Sequence, residues 1–191
     1  MSGIKLLVGL GNPGEKYEAT RHNAGFWWVN QLAAETNSKL AVDTKFFGIT
    51  AKLNPTADTW LLKPTTFMNA SGKAVAALAN YYKILPAQIL VIHDELDLPP
   101  STAKLKKGGS NSGHNGLKDI SAALGTQDFW RLRLGIGHPG DRNEVINYVL
   151  KAPLKDEKTA INQCIDESMQ IVPLLLNGDF ETAMLKLHTK K

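Results

Sequence analysis

Apolar residues fall along the chain into short runs and helix-spaced sets that alternate with one another. The first run, residues 4–10, is typical of a strand buried on both faces. The pattern predicts further strands at 46–53, 59–62, 89–93, 103–106 and 131–136. It predicts helices at 23–36, 71–83, 143–150, 155–177 and 179–188, and another that begins at Asn115 or Leu117 and ends at Leu124. The helix at 155–177 is expected to be interrupted or kinked at Pro173. Alternating strands and helices indicate an α/β fold, so we expect a single domain over residues 1–191 with a twisted, mixed, mostly parallel β-sheet flanked by α-helices.

The composition is that of an ordinary soluble globular domain. The 191 residues are 43% hydrophobic and 21% charged. A chain of this length and composition can bury a substantial core without disulfides or other cross-links. A lone cysteine permits no internal disulfide, and no apolar run reaches the roughly 18 residues of a membrane span. We therefore expect a cytoplasmic protein that does not enter a membrane. The net charge of +4 permits a polyanionic partner without requiring one.

A glycine-rich turn follows the first predicted strand. Residues 9–14 (GLGNPG) match the dinucleotide fingerprint G-x-G-x-x-G, in which a helix opens within the motif and meets the pyrophosphate. Here Pro13 lies inside the motif, and the helical pattern begins only near Asn23, after a polar insert. A nicotinamide-dependent oxidoreductase therefore stays as an alternative, and the glycines are explained as a tight turn.

Polar residues gather in four segments that follow strands or precede helices. The first holds Asn12, Tyr17 and His22, and the others are residues 64–69 (PTTFMN), 93–97 (HDELD) and 108–116 (GGSNSGHNG). Ligands of open α/β sheets bind beyond the carboxyl ends of the strands, so these segments can converge there. Taken singly, each residue has a structural explanation: a helix cap for Asn69 or Asn115, a turn for Asp94, and core packing for Phe67 or Met68.

In combination, the motifs resemble those of the bacterial peptidyl-tRNA hydrolases. The matching stretches, which run through essentially the whole chain, are residues 8–14 (VGLGNPG), Tyr17, 20–25 (TRHNAG), 64–69 (PTTFMN), 93–97 (HDELD), 113–118 (GHNGLK) and 131–137 (RLRLGIG). The resemblance implies a monomeric enzyme without metal or organic cofactor. Its implied substrates are peptidyl-tRNA and water, its reaction is hydrolysis of the ester between peptide and tRNA, and its role is to recycle tRNA from stalled translation. The segment 110–112 (SNS) is more polar than the small-residue pattern of that family.

The resemblance also implies roles for individual residues. His22 resembles the general base and Asp94 its supporting carboxylate. The substrate-positioning amides are implied to be Asn12, Asn69 and Asn115, with Asn12 helping to sense the blocked amine. The implied pocket residues are Tyr17, Phe67 and Met68, and the implied clamp for the tRNA end phosphate is Lys104, Lys106 and Arg133.

The chemistry of these residue types agrees with ester hydrolysis. A histidine with an ordinary pKa of about 6.5 suits proton abstraction from water, and a carboxylate on its second nitrogen fixes the tautomer. Strand alternation places His93 and Glu95 on the face opposite Asp94, which favours Asp94 as that carboxylate. Residue types alone leave open which asparagine donates to the oxyanion and which positions water.

Other chemistries are less well supported by the sequence. No G-x-S-x-G elbow occurs, and Cys164 falls in a predicted helix as a packed thiol. The chain has no H-E-x-x-H pair and no cysteine ligand pattern, so we expect no metal site.

Basic residues cluster before the 108–116 loop and on the strand at 131–136. Arg131 and Arg133 alternate with apolar residues, which predicts a strand with one solvent-facing side. Phosphate contacts from this cluster would give salt-dependent binding that is largely independent of nucleotide sequence. A non-catalytic RNA-binding module is thus a third hypothesis.

Overall fold

The computed structural model describes residues 2–56 and 58–189, and a seven-stranded sheet runs through its centre. The strands are β1 (Leu6–Gly9), β2 (Ala41–Asp43), β3 (Gly48–Lys52), β4 (Trp60–Pro64), β5 (Ile89–Glu95), β6 (Ala103–Lys107) and β7 (Trp130–Gly135). The helices are α1 (Ala24–Glu35), α2 (Ser71–Tyr82), α3 (Asn115–Leu124), α4 (Val145–Val149), α5 (Lys155–Ser168), α6 (Val172–Leu176) and α7 (Phe180–His188).

The strand order across the sheet is β2-β3-β4-β1-β5-β7-β6. The four central strands β4, β1, β5 and β7 pair in parallel, and the outer strands join antiparallel at both edges. This confirms the predicted α/β fold with a mixed sheet, in which parallel pairing is confined to the centre. The central strands are buried on both faces, which explains their continuous apolar runs.

Two hydrophobic cores hold the helices against the sheet. On one face, side chains of α1, α5, α6 and α7 pack with Leu7, Leu90 and Ile92. On the other, side chains of α2 and α3 pack with Leu6 and Val8. Burial of this apolar surface is the main force that assembles the layers.

Several predicted elements differ from the structure in detail. Strand β2 has no predicted counterpart, because it is three residues long and its side chains are exposed or half-buried. The predicted helix at 155–177 is divided into α5 and α6 by a 3₁₀ turn at Met169–Ile171. The interruption therefore precedes Pro173, which sits in the first turn of α6, where the missing N–H of proline costs no helical hydrogen bond. In the described ranges, no helix combines the length and apolarity required to cross a bilayer.

Candidate active site

A cavity of about 760 Å³ opens beyond the carboxyl ends of β1 and β5. Its walls come from all four predicted segments, from β7 and from α4. Of the predicted site residues, those that line it are Asn12, His22, Phe67, Met68, Asn69, Asp94, Lys106, Asn115 and Arg133. Tyr17 and Lys104 are not among the lining residues.

Asp94 joins two histidines at the end of β5. Its Oδ2 lies 2.8 Å from Nδ1 of His22, and its Oδ1 lies 2.9 Å from Nε2 of His114. The Asp94 side chain is 3% exposed, whereas the His22 side chain is 14% exposed and so remains partly accessible. His22, Asp94 and His114 each offer one atom of a kind that binds metals, and these atoms lie within 4.8 Å of one another. Here the carboxylate is instead hydrogen-bonded to both imidazoles.

The hydrogen bonds distinguish the two imidazoles. Nδ1 of His114 accepts from the backbone N–H groups of Gly116 and Leu117, so its Nε2–H donates to Asp94 and neither nitrogen is free. His22 uses only Nδ1, whose N–H donates to Asp94, so its Nε2 lone pair is left for a group in the cavity. Only His22 of this pair can therefore accept a proton from a bound water.

Burial and charge act in opposite directions on these groups. Burial favours neutral His22, but the charge of Asp94 and its hydrogen bond outweigh this and raise the pKa of His22. Burial likewise opposes ionisation of Asp94, yet the two histidines hold the pKa of Asp94 well below its ordinary value. The carboxylate consequently stays ionised and sets the tautomers of both rings.

His93 lies beside this cluster but has a different environment. Its Nδ1 donates to the backbone carbonyl of Asp94, and its ring centroid is 5.1 Å from that of His114. Burial, assisted by the nearby His114, lowers the pKa of His93 to about 3. His93 and Glu95 also line the cavity, because side chains from both faces of β5 reach it at the end of the strand.

Arg21 anchors the segment that carries His22. Its guanidinium is buried, donates to the carbonyl of Tyr148 at 2.9 Å and pairs with Glu157 at 2.8 Å. The same guanidinium stacks over the Tyr148 ring at 3.8 Å. These contacts tie the segment that carries His22 to α4 and α5, which fixes the position of His22 relative to the cavity wall.

Asn12 is held from two sides at the end of β1. The side chain of Asn23 accepts from the Asn12 N–H at 2.8 Å and donates to the Asn12 carbonyl at 2.9 Å. Oδ1 of Asn12 accepts from the backbone N–H of Met68 at 2.7 Å. The amide of Asn12 therefore orients the segment at residues 64–69, and its Nδ2 remains a donor for a ligand.

Asn69 and Asn115 present exposed side chains at the cavity. Neither side chain caps a helix: His114 caps α3, and neither α2 nor the 3₁₀ turn at Met68–Ala70 has a side-chain cap. Within residues 2–56 and 58–189 neither amide has a hydrogen-bond partner, so both are free to bind a ligand. The helix-cap explanation for these two residues is wrong.

Aromatic residues stand at the mouth of the cavity. Tyr17 meets Phe67 edge to face at a centroid distance of 6.3 Å, and Phe67 is 59% exposed. Met68, in contrast, is buried, and its sulfur lies so close to Gly116 that a side chain there would collide with it. Glycine at position 116 thus permits the first turn of α3 to approach the 64–69 segment.

The basic residues line up across β6 and β7. Lys104 is paired with Arg133 and Lys106 with Arg131 in the antiparallel register, which places all four on one face. Both lysines are exposed, and Arg133 bonds Glu95 at 2.9 Å. The prediction of a solvent-facing side fails at Arg131, which is 2% exposed.

Arg131 is buried because the 108–116 loop covers it. Its guanidinium donates to the Ser110 carbonyl at 2.8 Å and packs on the Phe129 ring. Burial, with a contribution from Arg133, lowers the pKa of Arg131. The carbonyl of Asn111 in the same loop accepts from the His114 N–H at 2.8 Å, so the polar loop residues are held in place.

Sequence reasoning did not assign a role to three residues that build the site. His114 shares Asp94, Asn23 positions Asn12, and Arg21 anchors the segment that carries His22. All three stand within the motifs that carry the family resemblance, at 20–25 and 113–118. Their roles depend on partners far away in sequence, which spacing alone does not identify.

The cavity contains an imidazole with a free nitrogen, a buried carboxylate bonded to that imidazole, and amides without hydrogen-bond partners in the described residues. These groups are typical of a hydrolase, and here they stand on an α/β fold. The model of the family described as peptidyl-tRNA hydrolase matches residues 6–191. The chain belongs to the peptidyl-tRNA hydrolase family.

Similar proteins agree with this assignment over their full lengths. The peptidyl-tRNA hydrolase of Methylobacillus flagellatus is 70% identical over 190 residues, covering 100% of this chain and 99% of its own. That of Neisseria meningitidis is 56% identical and covers 98% of both chains. The crystal structure of the Acinetobacter baumannii peptidyl-tRNA hydrolase superposes with a TM-score of 0.96 at 45% identity, covering 100% of this chain and 97% of its own.

Proposed function

We propose that this protein hydrolyses the ester between the peptide and the tRNA of peptidyl-tRNA, releasing peptide and free tRNA and so recycling tRNA from stalled translation. The observation that carries the proposal is the His22–Asp94 hydrogen bond, which leaves Nε2 of His22 facing the cavity. In this proposal the protein acts as a monomer.

His22 acts as the general base. Its Nε2 takes a proton from water as the water oxygen attacks the ester carbonyl carbon, forming a tetrahedral oxyanion and an imidazolium. The charge of Asp94 stabilises that imidazolium. When the intermediate collapses, the bond to the ribose oxygen breaks, and the proton on His22 passes to that leaving oxygen.

The asparagines position the substrate and the water. Asn69 and Asn115 have free amides at the cavity, and either can donate to the developing oxyanion. Asn12 contributes through Nδ2, since its Oδ1 is engaged by Met68. Nδ2 of Asn12 donates to the carbonyl oxygen of the group that blocks the amine, a contact that a free ammonium cannot offer, and this favours N-blocked substrates. Phe67 and Met68 form the adjoining wall, and Tyr17 supports Phe67 through its edge-to-face contact.

The direct test is release of an N-acetylated amino acid from N-acetyl-aminoacyl-tRNA by the purified protein. We expect complete release at nanomolar to micromolar enzyme, with no added nicotinamide cofactor or metal. Binding of tRNA without release would instead support the RNA-binding hypothesis. Absence of both, together with calorimetric binding of a nicotinamide dinucleotide, would support the oxidoreductase alternative.

Lys104, Lys106 and Arg133 hold the phosphate of the tRNA end. Replacing Lys104 and Lys106 together by alanine should raise KM several-fold with little change in kcat. Both lysines are exposed and are proposed to contact the tRNA phosphate, and neither is proposed to take part in the cleavage of the ester. The slope of log affinity against log salt should fall by about one unit for each lost phosphate contact. Lys39→Ala, an exposed lysine outside the cavity, is the matched control. An unchanged salt slope in the double variant would remove these lysines from the tRNA interface.

A further inference from the structure

Aromatic side chains gather on the surface beside β3, β4 and the end of α2. They form an aromatic strip, whose members are Phe46, Phe47, Trp60, Tyr81 and Tyr82. Phe46 is buried and anchors the strip, since Tyr81 and Tyr82 pack on its ring at centroid distances of 5.4 and 5.8 Å. The ring of Trp60 in turn stacks on Tyr82 at 4.6 Å. None of these five residues lines the catalytic cavity, so the proposed mechanism does not use them.

The outer rings of the strip face solvent. Tyr81 is 58% exposed, and Phe47 and Tyr82 are also classed among the exposed large side chains. A single exposed aromatic ring is ordinary, but several adjoining ones mark an interaction surface. The strip therefore presents flat apolar faces to a partner.

Three lysines lie over these rings. Nζ of Lys45 is 4.0 Å from the ring centroid of Tyr81, that of Lys73 is 4.3 Å from Phe47, and that of Lys52 is 5.8 Å from Trp60. All three lysines are exposed, and within the described ranges none of them pairs with a carboxylate. The attraction between an ammonium and a ring face holds them at the strip, with N–H groups left for an anion.

Negative charge is scarce around the strip. Neither aspartate nor glutamate occurs in the stretches that carry it, which are residues 44–52, 60–64 and 71–83. The acids that flank these stretches already have partners, because Asp43 accepts from the backbone N–H of Lys45 and Asp58 pairs with Lys5. A second copy of this chain would oppose positive charge with positive charge, so the strip fits a polyanion and not itself.

We propose that the aromatic strip is a second RNA-binding surface, which binds single-stranded RNA. Unpaired bases stack on the exposed rings while the lysines contact phosphates, and single strands are bound by this combination of aromatic and basic groups. The bases of a duplex are already stacked on one another and do not offer their faces. An acidic peptide would engage the lysines but has no flat groups for the rings. We take the strand to be RNA because the family acts on tRNA.

The length of the strip admits several nucleotides. It follows β4 from Trp60, which is paired with Lys52, to Thr65, whose N–H donates to the carbonyl of Phe47. Strand β4 has five residues, and a strand advances about 3.3 Å per residue, so the strip is roughly 17 Å long. At about 3.4 Å for each stacked nucleotide, about five nucleotides span it.

The strip is separate from the proposed phosphate clamp. Strands β7 and β3 are four spacings apart in the sheet, which is about 19 Å. The path from the clamp on β6 and β7 to His22 ends beside β5 and does not reach β3. A tRNA bound for cleavage thus leaves the strip open to a different RNA strand, and the proposal does not depend on the cleavage reaction.

The test is binding of a fluorescein-labelled, unstructured RNA of about twelve nucleotides, followed by fluorescence anisotropy. For the wild type we expect a Kd on the order of 10⁻⁶–10⁻⁴ M at physiological salt. Tyr81→Ala should weaken binding about tenfold through lost stacking, whereas Tyr81→Phe keeps the ring and should bind as the wild type does. Replacing Lys45 and Lys73 together by alanine should lower the salt slope by about 0.7 for each lost phosphate contact.

Lys158→Ala is the matched control, since Lys158 also lies over an aromatic ring, that of Trp27, which packs on the opposite face of the sheet. This variant should bind the short RNA as the wild type does. Replacing Lys104 and Lys106 together should weaken tRNA binding and leave the short RNA bound. Tyr81→Ala should keep native turnover of N-acetyl-aminoacyl-tRNA, so a failure of this proposal is distinguishable from a failure of the proposed function.

A wild type that does not bind the short RNA would overturn the proposal. So would binding that survives Tyr81→Ala, or binding that is lost in the Lys104 and Lys106 double variant. A higher KM for the tRNA substrate in Tyr81→Ala would place the strip within the tRNA site and contradict a separate surface. Displacement of the RNA by polyglutamate at equal concentration of charge would show that the strip binds acidic chains without regard to bases, which also contradicts the proposal.

Discussion

Replacing His22 by alanine should lower the deacylation rate by roughly 10²–10⁴-fold, the usual cost of losing a general base. The reason is that no neighbouring imidazole can substitute. Both nitrogens of His114 are engaged, by Asp94 and by the start of α3, and the free nitrogen of His93 is fully buried. The measurement is single-turnover release of N-acetylated amino acid from tRNA, with tRNA affinity determined in parallel.

A matched control is His138→Ala, because this exposed histidine lines the same cavity and its Nδ1 accepts from the N–H of Gly140 in its own turn. It should keep turnover within a few-fold of the wild type. The His22 variant should also keep its affinity for tRNA, because the proposed phosphate contacts lie on β6 and β7. Near-native turnover by His22→Ala would show that another group activates the water.

The apolar pattern was sufficient to predict most of the fold. Long buried strands such as β5 and the helix α2 carry strong local signals, because burial on both faces or along one stripe constrains every residue. Strand β2 was not predicted, because its side chains are exposed or half-buried and its sequence therefore shows no pattern of burial. The pattern predicts a mixed, mostly parallel sheet but not the order of its strands, since pairing partners depend on topology rather than on local pattern.

The site was predictable only where residue type and position coincide with a resemblance to known motifs. His22 and Asp94 were chosen in this way, and the structure brings them to 2.8 Å. Alternation along β7 predicted which residues share a face, but it could not predict that a loop would cover Arg131. The sharing of Asp94 between two histidines depends on contacts across 72 and 20 residues of sequence, which spacing does not encode.

Replacing Asp94 by asparagine isolates the contribution of the carboxylate, since the substitution conserves size and shape. An asparagine can accept from one histidine and must present an N–H group to the other. If the amide faces Nδ1 of His22, the ring is driven to the tautomer with its proton on Nε2, which cannot abstract a proton from water. We expect kcat to fall by roughly 10²–10⁴-fold.

The dependence of the remaining activity on pH tests the same carboxylate independently. In the wild type the pKa of His22 is raised, so the base is protonated and the rate falls as pH drops through that raised value. In Asp94→Asn only burial remains, and it lowers the pKa of His22, so the acid limb of kcat/KM should move to lower pH. Asp97→Asn, an exposed acid lining the same cavity, is the control and should leave the limb in place. A limb that does not move in Asp94→Asn would mean that the titrating group is not His22 or that Asp94 does not set its charge.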